Sequence, residues 1–285
     1  LLLGTCGSSL YFIKSGPVES QTVFPPAAVP APTSVTTQPP SGSPQIQGNR
    51  REGGSEPGWV SLQTGLERRT IPITNDQDQP VETLHIWRLD QRNFRLDVAF
   101  DARPKTLEAW QQQTNALVVV NGGFYSVEGE RYLPDGLVVQ NGQVAGRILD
   151  RFEGMLAITG SRAELRWLLQ KPYNALEPLQ AALQSFPVLV SPGGALGFGP
   201  ERESYAAARR TVIAQDREGR ILFLVAPQGY FTLSRLAAYL TQSDLKLDIA
   251  VNLDGGGSTG ILVANPWEVI PADRALPFVI LVYAR

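Results

Sequence analysis

The 285-residue chain is poor in the side chains that most often do polar chemistry. It has one histidine (His85), one cysteine (Cys6) and only four lysines (Lys14, Lys105, Lys171 and Lys246). These scarcities exclude every multi-histidine or cysteine–histidine metal site, and a Ser-His-Asp triad would have to use His85. A disulfide within the chain is excluded as well. Neither charge is in strong excess: 25 basic and 27 acidic side chains leave a net charge of -2. That balance excludes a nucleic-acid binder driven by bulk positive charge. Polar chemistry therefore falls to Asp, Glu, Arg, Asn, Ser, Thr, Tyr or the backbone. A hydrophobic fraction of 43% supports a real core, and the length suits one large domain or two small ones.

No hydrophobic run is long enough to span a bilayer, which takes about 20 residues. The uncharged stretch Leu1 to Ile13 (LLLGTCGSSLYFI) reads instead as the back half of a signal sequence or a signal anchor. Nine prolines between Pro17 and Gly58 are mixed with Ser, Thr, Gln and Gly. Such a stretch buries too little apolar surface to offset chain entropy and behaves as a partly extended spacer. The expected organisation is a leader or anchor remnant over 1–16, a Pro-rich disordered linker over 17–58 and one folded domain over 59–285. The order anchor, spacer, domain points to an exported protein of the periplasm, cell envelope or extracellular space, with a possible membrane tether through its N-terminus.

In the folded part, Val81–Leu89 and Phe94–Phe100 alternate apolar and polar residues as half-buried strands do. Asn141-Gly142 marks a hairpin within 136–144, and 211–215 and 221–225 flank another. The segments 106–114 and 232–240 read as helices capped by Thr106 and Thr232, and 176–185 as a third. Further strands are expected at 116–120, 155–159, 165–169, 188–190, 248–253, 261–263 and 278–283. Hairpins outnumber strand-helix-strand crossovers, so the expected class is α+β, with a mixed, mainly antiparallel sheet and a few packed helices.

Three polar loops at strand ends carry the functional signal. Asn121-Gly122-Gly123-Phe124-Tyr125 stops an apolar strand with an amide and two glycines, which suits a tight turn or the close approach of a ligand. Arg209-Arg210-Thr211 opens a strand with guanidinium forks matched to phosphate or carboxylate. Asn252-Leu253-Asp254-Gly255-Gly256-Gly257-Ser258-Thr259 places a carboxylate before three glycines, whose N–H groups can form an anion nest. No Lys follows, so this is not a P-loop, and a strand is expected next. One acidic residue is too few for an EF-hand.

These loops, with Pro134-Asp135-Gly136-Leu137, Gln184-Ser185 before Pro187, and the helix TLSRLAAYL, occur in the order seen in the phosphodiester glycosidase family. The chain resembles that family over about 84–283. It departs at Phe186, where the family often has Gly before the Pro. The resemblance implies a hydrolase that cleaves between a sugar anomeric carbon and a phosphodiester oxygen, acting on a sugar phosphodiester or polysaccharide. It implies Arg210 as phosphate clamp, with Arg209 the weaker alternative, and Asp254 as the essential carboxylate, base or nucleophile. Asp135 and Glu128 are the candidates for a second carboxylate. Asn121, Asn252, Ser258 and Thr259 would hydrogen-bond sugar hydroxyls. Phe124 or Tyr125 would cover a sugar face, and Gly122, Gly123, Gly255 and Gly256 would admit the substrate against backbone N–H groups. No cofactor is expected, although Asp254, Asn252 and main-chain carbonyls are hard ligands of the kind calcium accepts. Two other readings stay open: a non-catalytic glycan-binding module, and a hydrolase that breaks the P–O bond.

Overall fold

The computed structural model describes residues 58–203 and 206–285, which belong to one compact unit. The leader and nearly all of the Pro-rich linker expected from the sequence lie outside them. The described chain opens with the hairpin β1 (Val60–Gln63) and β2 (Leu66–Thr74), continued by β3 (Pro80–Leu89) and β4 (Phe94–Lys105). The first helix, α1 (Leu107–Thr114), starts where the Thr106 hydroxyl accepts the Ala109 N–H at 3.2 Å. Then come β5 (Val118–Asn121), the hairpin β6 (Tyr125–Glu128) and β7 (Arg131–Pro134), and the hairpin β8 (Leu137–Gln140) and β9 (Gln143–Gly146). The last turns through Asn141 and Gly142, both left-handed at φ 52° and 73°.

The second half runs through β10 (Gly154–Thr159), β11 (Arg162–Trp167), β12 (Ala181–Ser185), β13 (Val188–Ser191), β14 (Ala195–Leu196), β15 (Arg210–Asp216) and β16 (Ile221–Ala226). The second helix, α2 (Leu233–Gln242), is capped by Thr232 and buries Leu233, Leu236, Ala237 and Leu240. β17 (Leu247–Asn252), the hairpin β18 (Ile261–Ala264) and β19 (Trp267–Ile270), and β20 (Leu276–Ala284) complete it.

These strands form an eight-stranded sheet in the order β1-β2-β3-β16-β15-β17-β13-β14, two five-stranded sheets (β11-β10-β12-β8-β9 and β19-β18-β5-β20-β4) and the separate β6-β7 hairpin. Every neighbouring pair among the described residues is antiparallel. A core of Trp87, Phe223, Ile213, Val251, Leu253, Val120, Ile280 and Leu183, drawn from all three sheets, is buried among them.

The expectation of α+β with a few packed helices needs correction. The described residues hold two α-helices against twenty strands, so the fold is more β-rich than that class implies. The helix expected at 176–185 is absent, and its second half is β12. Ala181–Ser185 are all buried, and their edges pair with β10 on one side and β8 on the other. Alanine and leucine favour helix locally, but a slot between two strands overrides that preference.

Candidate active site

Antiparallel pairing explains why the three polar loops meet. Val212 of β15 lies opposite Asn252 of β17, so the start of one strand and the end of the other leave the sheet at the same edge. Main-chain bonds stitch the end of β5 to the loop after β17 and to Gly260, Asp254 N–H to Gly122 O (3.1 Å) and Asn121 N–H to Gly260 O (3.2 Å), while Leu253 N–H to Thr211 O (2.9 Å) ties the loop to β15.

Asn121 is the pin at this junction. It is buried (1% exposed). Its Oδ1 accepts from the Thr211 hydroxyl (2.7 Å) and the Gly260 N–H (3.1 Å), while its Nδ2 donates to the Asp254 carbonyl (2.7 Å). The amide expected to hydrogen-bond a sugar is thus used inside the protein, where it braces the junction. Gly122 and Gly123 are buried against Phe278, where an added Cβ would stand 3.0 Å from the ring. Arg209 is also committed, to Asp273 Oδ1 (2.5 Å), Pro271 O (2.7 Å) and Thr259 O (3.0 Å). Ser258 and Thr259 are buried too.

Asp254 emerges from this brace half-buried. Burial raises its pKa above the ordinary 3.8, helped by the charge of Asp135. The Ser258 hydroxyl, the Gly255 N–H (2.9 Å) and the Arg274 charge pull the other way. Asn121 Nδ2 holds the Asp254 carbonyl, and the cation whose charge acts on its carboxylate is Arg274. Gly255 must lack a side chain, because a Cβ there would lie 2.8 Å from Arg209 O.

Next to Gly255 opens a cavity of about 310 Å³, lined by Phe124, Asp135, Arg151, Phe152, Phe186, Arg210, Leu233, Asn252 and Gly255. Five of the expected site residues gather here: Phe124, Asp135, Arg210, Asn252 and Gly255. Arg210 is buried (8% exposed). Its Nε donates to Phe231 O (3.1 Å) and its Nη2 to Ala206 O (2.7 Å). Burial lowers its pKa, with the Glu203 charge opposing. Among the described residues no carboxylate lies within ion-pair distance of it. Asn252 donates from Nδ2 to Phe186 O (2.9 Å), while its buried Oδ1 has no partner among the described residues. Phe186 forms a wall with Phe152, their rings stacked 6.3 Å apart.

Other expected residues stay outside the lining. Glu128 is exposed on β6, Tyr125 reaches Ser258 at 3.5 Å, and Gly256 holds a left-handed turn (φ 57°) with open space around its Cβ position. A short 3₁₀ turn over Gly256–Ser258 lies within the glycine loop, and the strand expected after the loop is β18. His85 lies on β3, its Nδ1 2.6 Å from Arg68 Nη2, and its pKa is lowered by burial and by Arg68. Sequence reasoning missed Arg151, Phe152 and Arg274, whose stretches carry no distinguishing pattern, and read Leu233 only as an apolar position of its helix. Among the described residues no three His, Cys, Asp or Glu side chains gather as a metal-binding group.

A similar fold occurs in solved structures. One is the catalytic domain of zebrafish N-acetylglucosamine-1-phosphodiester alpha-N-acetylglucosaminidase, auto-inhibited by its pro-peptide (TM-score 0.60, 16% identity, 79% of this chain and 86% of that one). Another is a protein from Synechocystis (0.54, 15%, 80% and 63%). A third is a protein described as exported from Burkholderia pseudomallei K96243 (0.53, 14%, 72% and 74%). No curated protein matches the chain by sequence. The family model for phosphodiester glycosidase matches residues 114–283, a span that includes all three converging loops and every residue of the cavity lining. The chain belongs to the phosphodiester glycosidase family.

Proposed function

We propose that the chain is a hydrolase that breaks the bond between a sugar anomeric carbon and a phosphodiester oxygen, on envelope or extracellular glycans. The observation that carries this reading is Arg210. It is a buried guanidinium that donates to two carbonyls and, among the described residues, has no carboxylate within ion-pair distance, on the wall of a cavity that also holds Asp135 and Asn252. A buried cation held by carbonyls and the charge of Glu203, with no ion-paired carboxylate among the described residues, gains from a substrate anion placed against it. With phosphate on Arg210, the sugar ring lies against Phe124 and its hydroxyls donate to Asp135 and to Asn252 Oδ1.

Asp254 is the essential carboxylate in this reading. Its raised pKa makes it a better proton acceptor near neutral pH than an ordinary aspartate. Arg210 stabilises charge on the departing phosphate, so a strong general acid is unnecessary. Of the two candidates for a second carboxylate, Asp135 is favoured over Glu128, since it lines the cavity. No cofactor is assigned to the step. The apolar start and Pro-rich spacer support a place outside the cytoplasm, tethered or released, with a domain beginning near Trp59 that folds without them.

Hydrolysis of a sugar-1-phosphodiester in ¹⁸O water tests the reaction. Label in the released sugar supports C–O cleavage. Label in the phosphate means P–O cleavage, and tight glycan binding without turnover means a binding module.

A further inference from the structure

The proposed reaction changes the charge that the cavity must hold. A phosphodiester carries one negative charge. When the anomeric C–O bond breaks, its electron pair stays on the phosphate oxygen. Water oxygen bonds to the carbon and gives its proton to a carboxylate. The departing group is then a monoester dianion, which takes up its second proton only below about pH 6. One guanidinium matches the diester, whereas two match the dianion.

The cavity is lined by two guanidinium side chains, Arg210 and Arg151. Arg151 is exposed and makes no hydrogen bond or ion pair with the described residues. Its guanidinium lies over the Phe152 ring, 5.5 Å from the ring centre. The turn that carries it is held from beneath by Gln184 of β12, which is 2% exposed. Gln184 Oε1 accepts from Leu149 N–H (3.0 Å), and its Nε2 donates to the carbonyls of Leu149 and Phe152 (both 2.7 Å). The turn is closed across Arg151 by Phe152 N–H to Leu149 O (2.9 Å). The same Oε1 accepts from Leu137 N–H (3.1 Å), two residues beyond Asp135. One buried carboxamide thus holds the two chain segments that carry Asp135 and Arg151 to the cavity edge. Generic solubility of a surface arginine requires no such support.

We infer that Arg151 is a second cation for the departing phosphate, engaged as the diester becomes a monoester, and that Gln184 is the positioning residue that holds its turn. This inference rests on the functional reading above. It makes Arg151 a transition-state and product contact more than a substrate contact.

The test is calorimetric binding of methyl phosphate and dimethyl phosphate at pH 8, where the first is a dianion and the second a monoanion. The wild-type protein is expected to bind the dianion at least about tenfold tighter, as one added charge-assisted hydrogen bond allows. Arg151→Gln should bring the two within about threefold and leave the dimethyl phosphate affinity nearly unchanged. In turnover it should lower kcat more than it raises KM. Equal binding of both anions by the wild type, or a dianion preference that survives Arg151→Gln, overturns the inference and leaves the cavity a phosphate site. Binding of neither anion by the wild type overturns the functional reading and this inference with it.

Discussion

Arg209 and Arg210 leave one strand end for two different surroundings. Arg209 reaches Asp273, Pro271 O and Thr259 O, so it ties the glycine loop to the chain after β19. Arg210 donates, among the described residues, to Phe231 O and Ala206 O and lines a cavity. Asn121 and Thr211 stand on the braced side with their side-chain bonds made, while Asn252 stands on the cavity side with an acceptor unused. Residue type alone does not separate brace from binder. The difference lies in which donors and acceptors the protein has already satisfied.

Asp254 belongs to both sides, which makes it the sharpest probe of the comparison. The brace holds its backbone, through Gly122 O and Asn121 Nδ2. Its carboxylate is proposed to act. Asp254→Asn keeps the shape and removes the charge, so turnover should fall by roughly 10²-fold or more, the scale of losing an acid or base, with near-normal melting. A collapse of folding with no separate kinetic loss would assign Asp254 to the brace. Arg210→Lys comes next. It loses the planar fork, and a buried ammonium is the more readily neutralised, so kcat/KM should drop by about 10–100-fold on phosphodiesters while melting stays close to wild type. Unchanged turnover would place the phosphate clamp elsewhere.

Arg209→Ala should show the opposite pattern. Stripping its donors from two carbonyls and Asp273 should cost about 1–3 kcal/mol, read as a melting shift of about 2–4 °C for each kcal/mol in a domain of this size. Turnover of the folded protein should change far less than in Arg210→Lys. Lost turnover with unchanged melting would erase the distinction between the neighbours.

The hairpins at 136–144 and 211–225, both helix caps and the three loops were legible because each depends on local chemistry: Asn141-Gly142 for the turn, Thr106 and Thr232 for the caps, glycines at strand ends. The hairpin that the gap 90–93 suggests does not form, since β3 and β4 lie in different sheets. β12 was not, because its strand state comes from β8 and β10 on either side of it, and neither is visible in AALQS. β2 was missed because only Leu66 and Ile73 of its nine residues are buried, which leaves no alternation to read. Within the candidate site, the motif order picked out loops that the fold brings together, but Asn121 as brace and Arg151 as cavity wall depend on contacts between distant segments. Gln184 shows the same limit. Its place in the motif was visible, while its four hydrogen bonds to 137, 149 and 152 were not.

The smallest effect expected is in the pH dependence of stability, and it tests whether Asp254 is strained by its place between brace and cavity. Burial raises the pKa of its carboxyl in the folded protein above 3.8. The folded state then holds this proton at pH values where the unfolded chain has released it. Stability from this group is therefore greatest below the unfolded value and falls as pH rises through the window between 3.8 and the raised value. Above that window the ionised carboxylate is a constant burden on the fold. Asp254→Asn removes the titration, so the difference in melting temperature between variant and wild type should move in the variant's favour as pH rises through that window, then level off. Melting curves taken every half pH unit from acid to neutral would read this directly. A difference that is flat across the window would mean that Asp254 titrates alike in both states, and the desolvated carboxylate proposed as the base would lose its main electrostatic support.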